Sequence, residues 1–138
     1  MPLQWSDQLL TGVAEIDSQH KELFAAVNSF VQSILDGREK DDIATLFRFL
    51  DHYANVHFAT EEALLEKENY PEINIHKAQH NYFRTAFAKL KARCDNEGYS
   101  QDILNDAHRN VSSWLLNHVA KTDKHWAQFI KSRQQTAN

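Results

Sequence analysis

The run DIATLFRFLDHYANVHFATEEALLEK, residues 42–67, places Ile43, Leu46, Phe47, Leu50, Tyr53, Ala54, His57, Glu61, Leu64 and Leu65 at intervals of three and four. That is the period of one face of an α-helix, and the run is far too long for a strand. Two members of the face are anomalous. His57 and Glu61 stand where the period demands burial, and an imidazole or carboxylate buried without a partner costs several kilocalories per mole.

The same period continues on both sides. After an irregular arm (residues 1–16), Asp17 is expected to cap a first helix with His20, Leu23, Phe24, Val27, Phe30, Val31 and Ile34 on its inner face, and Gly37 to end it. Asp41 or Asp42 is the expected cap of the second helix. Asn69-Tyr70-Pro71 stops that helix, because proline cannot continue one and disfavours helical geometry in the residue before it. A third stripe, His76, His80, Phe83, Phe87, Leu90 and Cys94, leads to the turn Asn96-Glu97-Gly98. Ser100 is expected to cap a fourth helix facing inward with Ile103, Leu104, Ala107, Val111, Trp114, Leu115 and His118. A tail helix over residues 124–133 follows. With Gly (3) and Pro (2) scarce, the pattern predicts an all-α, up-down-up-down four-helix bundle. It would form one domain over residues 1–138, with an N-terminal arm and a short C-terminal helix.

The totals narrow the function. A formal net charge of −4 argues against nucleic acid or an acidic membrane surface as partner, since both attract basic patches. No apolar run approaches the roughly 20 residues needed to span a bilayer. Met1-Pro2-Leu3-Gln4-Trp5 lacks the basic and apolar regions of a signal peptide, and the lone Cys94 excludes an internal disulfide. A cytoplasmic protein is expected. The outer helix faces carry no large apolar stripe, so a monomer is expected too.

His20, His57, Glu61, His76, His80 and His118 all fall on inner stripes. They lie at the start of helix one, the end of helix two, the start of helix three and the end of helix four. In an up-down-up-down bundle those four ends share one end of the molecule. Each four-residue pair, His57 with Glu61 or His76 with His80, is weak alone; on a helix its members are about 40° apart and share a face. Six polar residues converging in a dry core are what a transition metal requires. Asp123 is a seventh candidate, but five residues separate it from His118, about 140° on a regular helix. Both can serve one site only if the helix ends or bulges between them, and a break is expected near Lys121-Thr122. His52, His108 and His125 fit no stripe with the cluster and are read as surface or structural residues.

Seven ligands exceed what one tetrahedral zinc takes. Two octahedral ions sharing Glu61 and Asp123 as bridges would use them. With a bridging oxo or hydroxo group, one ion is six-coordinate and the other five-coordinate, which leaves one position open. Nitrogen-rich ligation suits iron, although copper or cobalt would bind such donors.

In order and spacing, His20, His57-x3-Glu61, His76-x3-His80 and His118-x4-Asp123 resemble the ligand set of the hemerythrin family. Trp5-Ser6-Asp7, Gly12-Val13, Ile16-Asp17-Ser18-Gln19-His20-Lys21, His57-Phe58-Ala59-Thr60-Glu61-Glu62, Tyr70-Pro71 and Trp114-Leu115-Leu116-Asn117-His118 are also similar to that family's single-domain bacterial members. The resemblance implies two non-haem iron ions, His76, His80 and His118 on the saturated one, His20 and His57 on the one with the open position. It implies reversible, end-on binding of dioxygen there, with each ferrous ion giving one electron. A dry apolar pocket would protect that state, and Phe58, Trp114, Leu115 and Val119, adjacent to ligands or one turn away, are its expected lining. Gln79 stands where many relatives carry glutamate, and Leu65 where methionine is common; an effect of Gln79 would be on tuning.

The resulting expectation is an oxygen carrier, store or supplier rather than an enzyme, with an oxygen-consuming enzyme as a recipient. Two alternatives stay open: a sensor of oxygen, redox state or iron acting through a partner protein, and a di-iron enzyme reducing peroxide or nitric oxide. Ferritin-like oxidases use more carboxylates than this chain offers.

Overall fold

A computed structural model describes residues 3–38, 40–98 and 100–136, with the side chains of residues 40, 104, 108, 135 and 136 outside the description. The expectations for the Leu104 and His108 side chains therefore lie outside the described residues. Three long helices, α1 (Ala14–Leu35), α2 (Lys40–Lys67) and α3 (Ile73–Glu97), precede a fourth helical run. That run comprises α4 (Gln101–Ala107), α5 (Ser113–Asn117) and α6 (Lys124–Thr136), joined by π-helical turns at His108–Ser112 and His118–Asp123. Helix α1 packs on α2, α2 on α3, and both α1 and α3 on the fourth run, the expected antiparallel bundle. None of the described helices is long and apolar enough to cross a membrane.

Two helix ends set the geometry of the site. Gly37 takes φ +66°, its N–H bonds Ile34 O at 3.1 Å, and Arg38 N–H bonds Ser33 O at 3.1 Å. The left-handed residue satisfies carbonyls that the end of α1 leaves without partners. Asn69 does the same for α2 with φ +55°: its N–H bonds Glu66 O at 3.1 Å and Tyr70 N–H bonds Leu65 O at 3.0 Å. That closure folds Tyr70 inward ahead of Pro71.

Two of the three expected helix starts differ from expectation. Helix α1 begins at Ala14, so Asp17 stands inside its first turn and does not cap it. Its carboxylate instead reaches back over the preceding loop, accepting from Thr11 N–H and Thr11 Oγ1, each at 2.8 Å, and from Gly12 N–H at 3.2 Å. Asp41 and Asp42 also lie within a first turn, that of α2, where negative charge offsets the helix dipole. Ser100 does cap, its Oγ accepting from Ile103 N–H at 3.4 Å. Because Asp17 ties down a loop and Asp41 does not, Asp17→Ala is expected to cost about 1–2 kcal/mol in urea unfolding. Asp41→Ala should cost less than about 0.5 kcal/mol. Equal costs would remove the loop-tying role.

The expected break at Lys121-Thr122 does not occur. The chain stays helical through His118 (φ −62°, ψ −48°) and Lys124 (φ −64°, ψ −31°), and a π turn spans His118–Asp123. Hydrogen bonding in a π turn runs from i to i+5, so residues five apart lie over one another as residues four apart do in an α-helix. The extra residue is absorbed as a bulge, and the tail is a continuation of the fourth helix to Thr136.

Apolar residues form two clusters with the polar residues between them. The larger holds Phe30, Phe47, Phe87, Leu90 and Ile103 among others; Phe30 and Phe47 meet edge to face at 4.7 Å between centroids. The smaller is Ile16, Leu65, Tyr70, Trp126, Ala127 and Ile130. It packs beside the site at its loop end, using Ile16 and Trp126 from segments read as arm and tail.

Candidate metal centre

Helix geometry delivers all seven candidates to one place: His20 from α1, His57 and Glu61 from α2, His76 and His80 from α3, His118 and Asp123 from the last π turn. None is more than 4% exposed. Each imidazole turns Nε2 inward, and the two carboxylates occupy the centre.

The carboxylate oxygens divide the imidazoles into two groups. Glu61 Oε1 faces His76 Nε2 in a short contact, His80 Nε2 at 3.2 Å and His118 Nε2 at 3.8 Å. Glu61 Oε2 faces His57 Nε2 at 3.3 Å and His20 Nε2 at 3.5 Å. Asp123 divides the same way, with Oδ1 toward His118 (3.3 Å) and His76 (3.4 Å) and Oδ2 toward His20 (3.1 Å). His20 Nε2, Glu61 Oε2 and Asp123 Oδ2 are buried yet make no hydrogen bond, although they approach one another closely. Buried carboxylate oxygens and imidazole nitrogens that face a common point without satisfying one another are a donor set for a cation once the imidazoles give up their protons. Two groupings within 4.8 Å emerge, Glu61 with His76, His80 and His118, and Glu61 with His20 and His57.

The outer nitrogens follow a rule that the inner stripes did not reveal. Gln19, beside His20 on α1, holds His57 Nδ1 at 2.8 Å through its Oε1. Glu62, beside Glu61 on α2, holds His80 Nδ1 at 2.9 Å. Gln79, beside His80 on α3, holds His118 Nδ1 at 2.9 Å. Each residue flanking a cluster member thus orients the imidazole on the next helix, and accepting the Nδ1 hydrogen leaves Nε2 as the inward donor. Trp126 Nε1–H likewise donates to Asp123 Oδ1 at 3.0 Å. Sequence reading flagged only Gln79 of these four; polar neighbours of the stripe residues were the available signal for Gln19 and Glu62.

The charge balance follows from burial and contact. Burial works against charge on His20, but the Asp123 and Glu61 carboxylates outweigh it and push the imidazole up to about 9. His118 is pushed up to about 10 against the same opposition, by Asp123 and then Glu61. Burial pushes His80 down. Burial would raise Glu61 as well, yet the imidazoles of His118, His20, His57 and His76 hold it well below the ordinary carboxylate range. Asp123 is also lowered, burial and Glu61 being overcome by His118 and His20. In the metal-free site at pH 7 the two carboxylates are therefore paired with charged His20 and His118. Raised histidines stabilise the fold below their ordinary 6.5 and lose that contribution as pH rises through about 9 to 10. Lowered carboxylates contribute above their ordinary values and lose it as pH falls. Metal ions need neutral imidazoles, so loading the site at pH 7 in weak buffer should release the protons of His20 and His118, read with a pH indicator. Release of none would contradict this charge assignment.

The residues expected to line an oxygen pocket lie in or against the larger apolar cluster. Phe58 stacks on His80 at 4.0 Å between centroids and lies 5.9 Å from His57. Half-buried Trp114 stacks on His118 at 4.6 Å. Leu115 and Val119 are buried in the same cluster. His52 and His125 are exposed and stand outside the seven.

Residues 11–130, which include every one of the seven, match the family model described as the hemerythrin HHE cation binding domain. The chain belongs to the hemerythrin family. It is 30% identical over 129 residues to a Bacteriohemerythrin of Pseudomonas paraeruginosa, covering 94% of this chain and 82% of that one. It is 31% identical over 114 residues to a Bacteriohemerythrin of Methylococcus capsulatus, with 83% and 85% covered. A Hemerythrin-like protein of Naegleria gruberi is 30% identical over 122 residues, with 88% of each chain covered. The hemerythrin fold is thus matched along with its cation-binding character.

Proposed function

We propose that this protein binds dioxygen reversibly at a non-haem di-iron centre held by His20, His57, Glu61, His76, His80, His118 and Asp123, as a carrier or store rather than an enzyme. The observation that carries the reading is the unequal division of the imidazoles. Glu61 offers one oxygen to a group of three and the other to a group of two, and Asp123 turns its oxygens toward members of the same two groups, the donor arrangement for two bridged ions of unequal saturation. Iron suits nitrogen-rich sites with few carboxylates, and a ferrous pair would supply the two electrons that reversible dioxygen binding draws on.

The chain's own residues do the rest. Gln19, Glu62 and Gln79 fix the rings of His57, His80 and His118, so that these three donor atoms need no rearrangement when dioxygen comes and goes. An amide on His118 in place of a carboxylate puts less negative charge beside that imidazole than Glu62 puts beside His80. Phe58 and Trp114 cover the imidazoles of His80 and His118, and Leu115 and Val119 extend the apolar wall. Such a wall keeps out the water and protons that would make oxidation irreversible.

The test is spectroscopic. The iron-loaded protein is reduced anaerobically, exposed to air, and returned to anaerobic conditions while its visible spectrum is recorded. A charge-transfer band that appears with oxygen and vanishes on its removal over several cycles is the expected result. One-way oxidation in the first cycle would overturn reversible binding.

A further inference from the structure

The centre is buried on every side, so an ion must reach it through some part of the protein. A cavity of about 310 Å³ opens at the loop end of the bundle between the α2–α3 connection and the start of α6. At its mouth three donors converge. The Tyr70 hydroxyl lies 2.7 Å from His125 Nδ1 and 3.3 Å from Glu72 Oε2, and His125 Nδ1 lies 3.1 Å from Glu72 Oε2. Donors about 2.1 Å from one ion, at tetrahedral or octahedral angles, stand roughly 3.0–3.4 Å apart. The triad is close to that spacing, and it joins an imidazole, a carboxylate and a hydroxyl, a set suited to a borderline divalent cation.

The inner wall of the same cavity is His76. Its Nε2 contacts Glu61 Oε1, while its Nδ1 is buried and has no hydrogen-bond partner. His57, His80 and His118 are pinned at Nδ1 by Gln19, Glu62 and Gln79. His20 Nδ1 is unpinned too, but His20 does not line this cavity. His76 is therefore the cluster ring that both meets the cavity and has no partner holding its Nδ1.

We infer that Glu72, His125 and Tyr70 form a capture site for ferrous iron at the mouth of a loading port, from which the ion passes to His76 and into the centre. No electron or covalent bond changes hands; one set of donors replaces another around the ion. This rests on the di-iron reading of the centre. It gives a task to His125, which its position off the inner stripes had left as a surface residue. Lys121 also lines the cavity, and its ammonium opposes a cation there, which supplies a test of opposite sign.

The experiment uses the iron-loaded protein. By microscopic reversibility, a site that eases iron inward eases it outward. Release from the reduced protein into excess ferrozine should slow about tenfold, the factor equal to 1.4 kcal/mol, in Glu72→Gln and His125→Gln. Ile75→Trp, at an exposed position lining the cavity, should obstruct the port and slow release as well. Lys121→Gln should accelerate it. Titration of the iron-loaded protein with Co²⁺ should show one further weak site, lost in His125→Gln. All variants should still cycle with oxygen as the parent does. Parental release rates, or a Co²⁺ titration indifferent to His125, would overturn the port while leaving the oxygen reading intact. A parent chain that retains no iron overturns both.

Discussion

On the proposed di-iron reading, the Glu61→Gln variant is expected to purify with at most a residual fraction of the parent chain's iron, measured by elemental analysis against protein concentration. Glu61 is the residue whose two oxygens between them face all five imidazoles. Glutamine keeps the shape but turns one of those oxygens into an amide that donates and cannot ligate. Whichever way the amide faces, one group of imidazoles meets N–H hydrogens in place of a donor oxygen, and both groups lose the negative charge. Removing an outer partner of a ligand already costs roughly 10- to 100-fold in metal affinity, and losing a shared ligand should cost more for each ion. His118→Ala should also lose iron, because it removes a donor from the group of three. His52→Ala, at an exposed position, should hold the parental amount. Full iron in Glu61→Gln would show that Glu61 is not a bridge.

The bundle was legible because its signal is redundant. Each inner stripe repeats the helical period over several turns, so an error at one residue changes nothing. Six of the seven clustered residues were legible for the same reason, since His20, His57, Glu61, His76, His80 and His118 interrupt those stripes. Asp123 was harder. Angular spacing showed that a regular helix would aim it away from His118, and that some departure was required. Which departure, a break or a bulge, depends on whether i to i+5 hydrogen bonding is tolerated there, and residue types say little about that. The starts of α1 and α2 were missed for a related reason. Aspartate is at once a good cap and a good acceptor within a first turn, so Asp17 could serve either way until the Thr11–Gly12 loop folded onto it. Gln19 and Glu62 were overlooked because their work is done across helices. Their reach to His57 and His80 is set by how far neighbouring helices are rotated, which a period along one helix does not contain.

Leu115→Ala should shorten the life of the oxygen-bound protein, with autoxidation about tenfold faster or more, the change produced by about 1.4 kcal/mol off a barrier. Leu115 is 2% exposed and lies one helical turn before His118, next to Trp114, whose ring covers that imidazole. Truncation to alanine leaves a gap on the apolar side of the centre, and a gap beside imidazoles and carboxylates is one that water can fill, since polar partners are at hand. Water brings protons to the site and raises its polarity, and both favour irreversible oxidation. The substitution also lowers stability by about 2–5 kcal/mol, as removal of a buried leucine does. A second variant separates the two effects. Leu90→Ala removes a side chain of the same size, 3% exposed, from the same cluster, but Leu90 lies ten residues beyond His80 on α3, about 15 Å along the helix. It should lose comparable stability in urea unfolding while autoxidising at close to the parental rate. If both variants oxidise equally fast, loosening of the whole bundle governs the loss of oxygen, and Leu115 is no wall of the pocket.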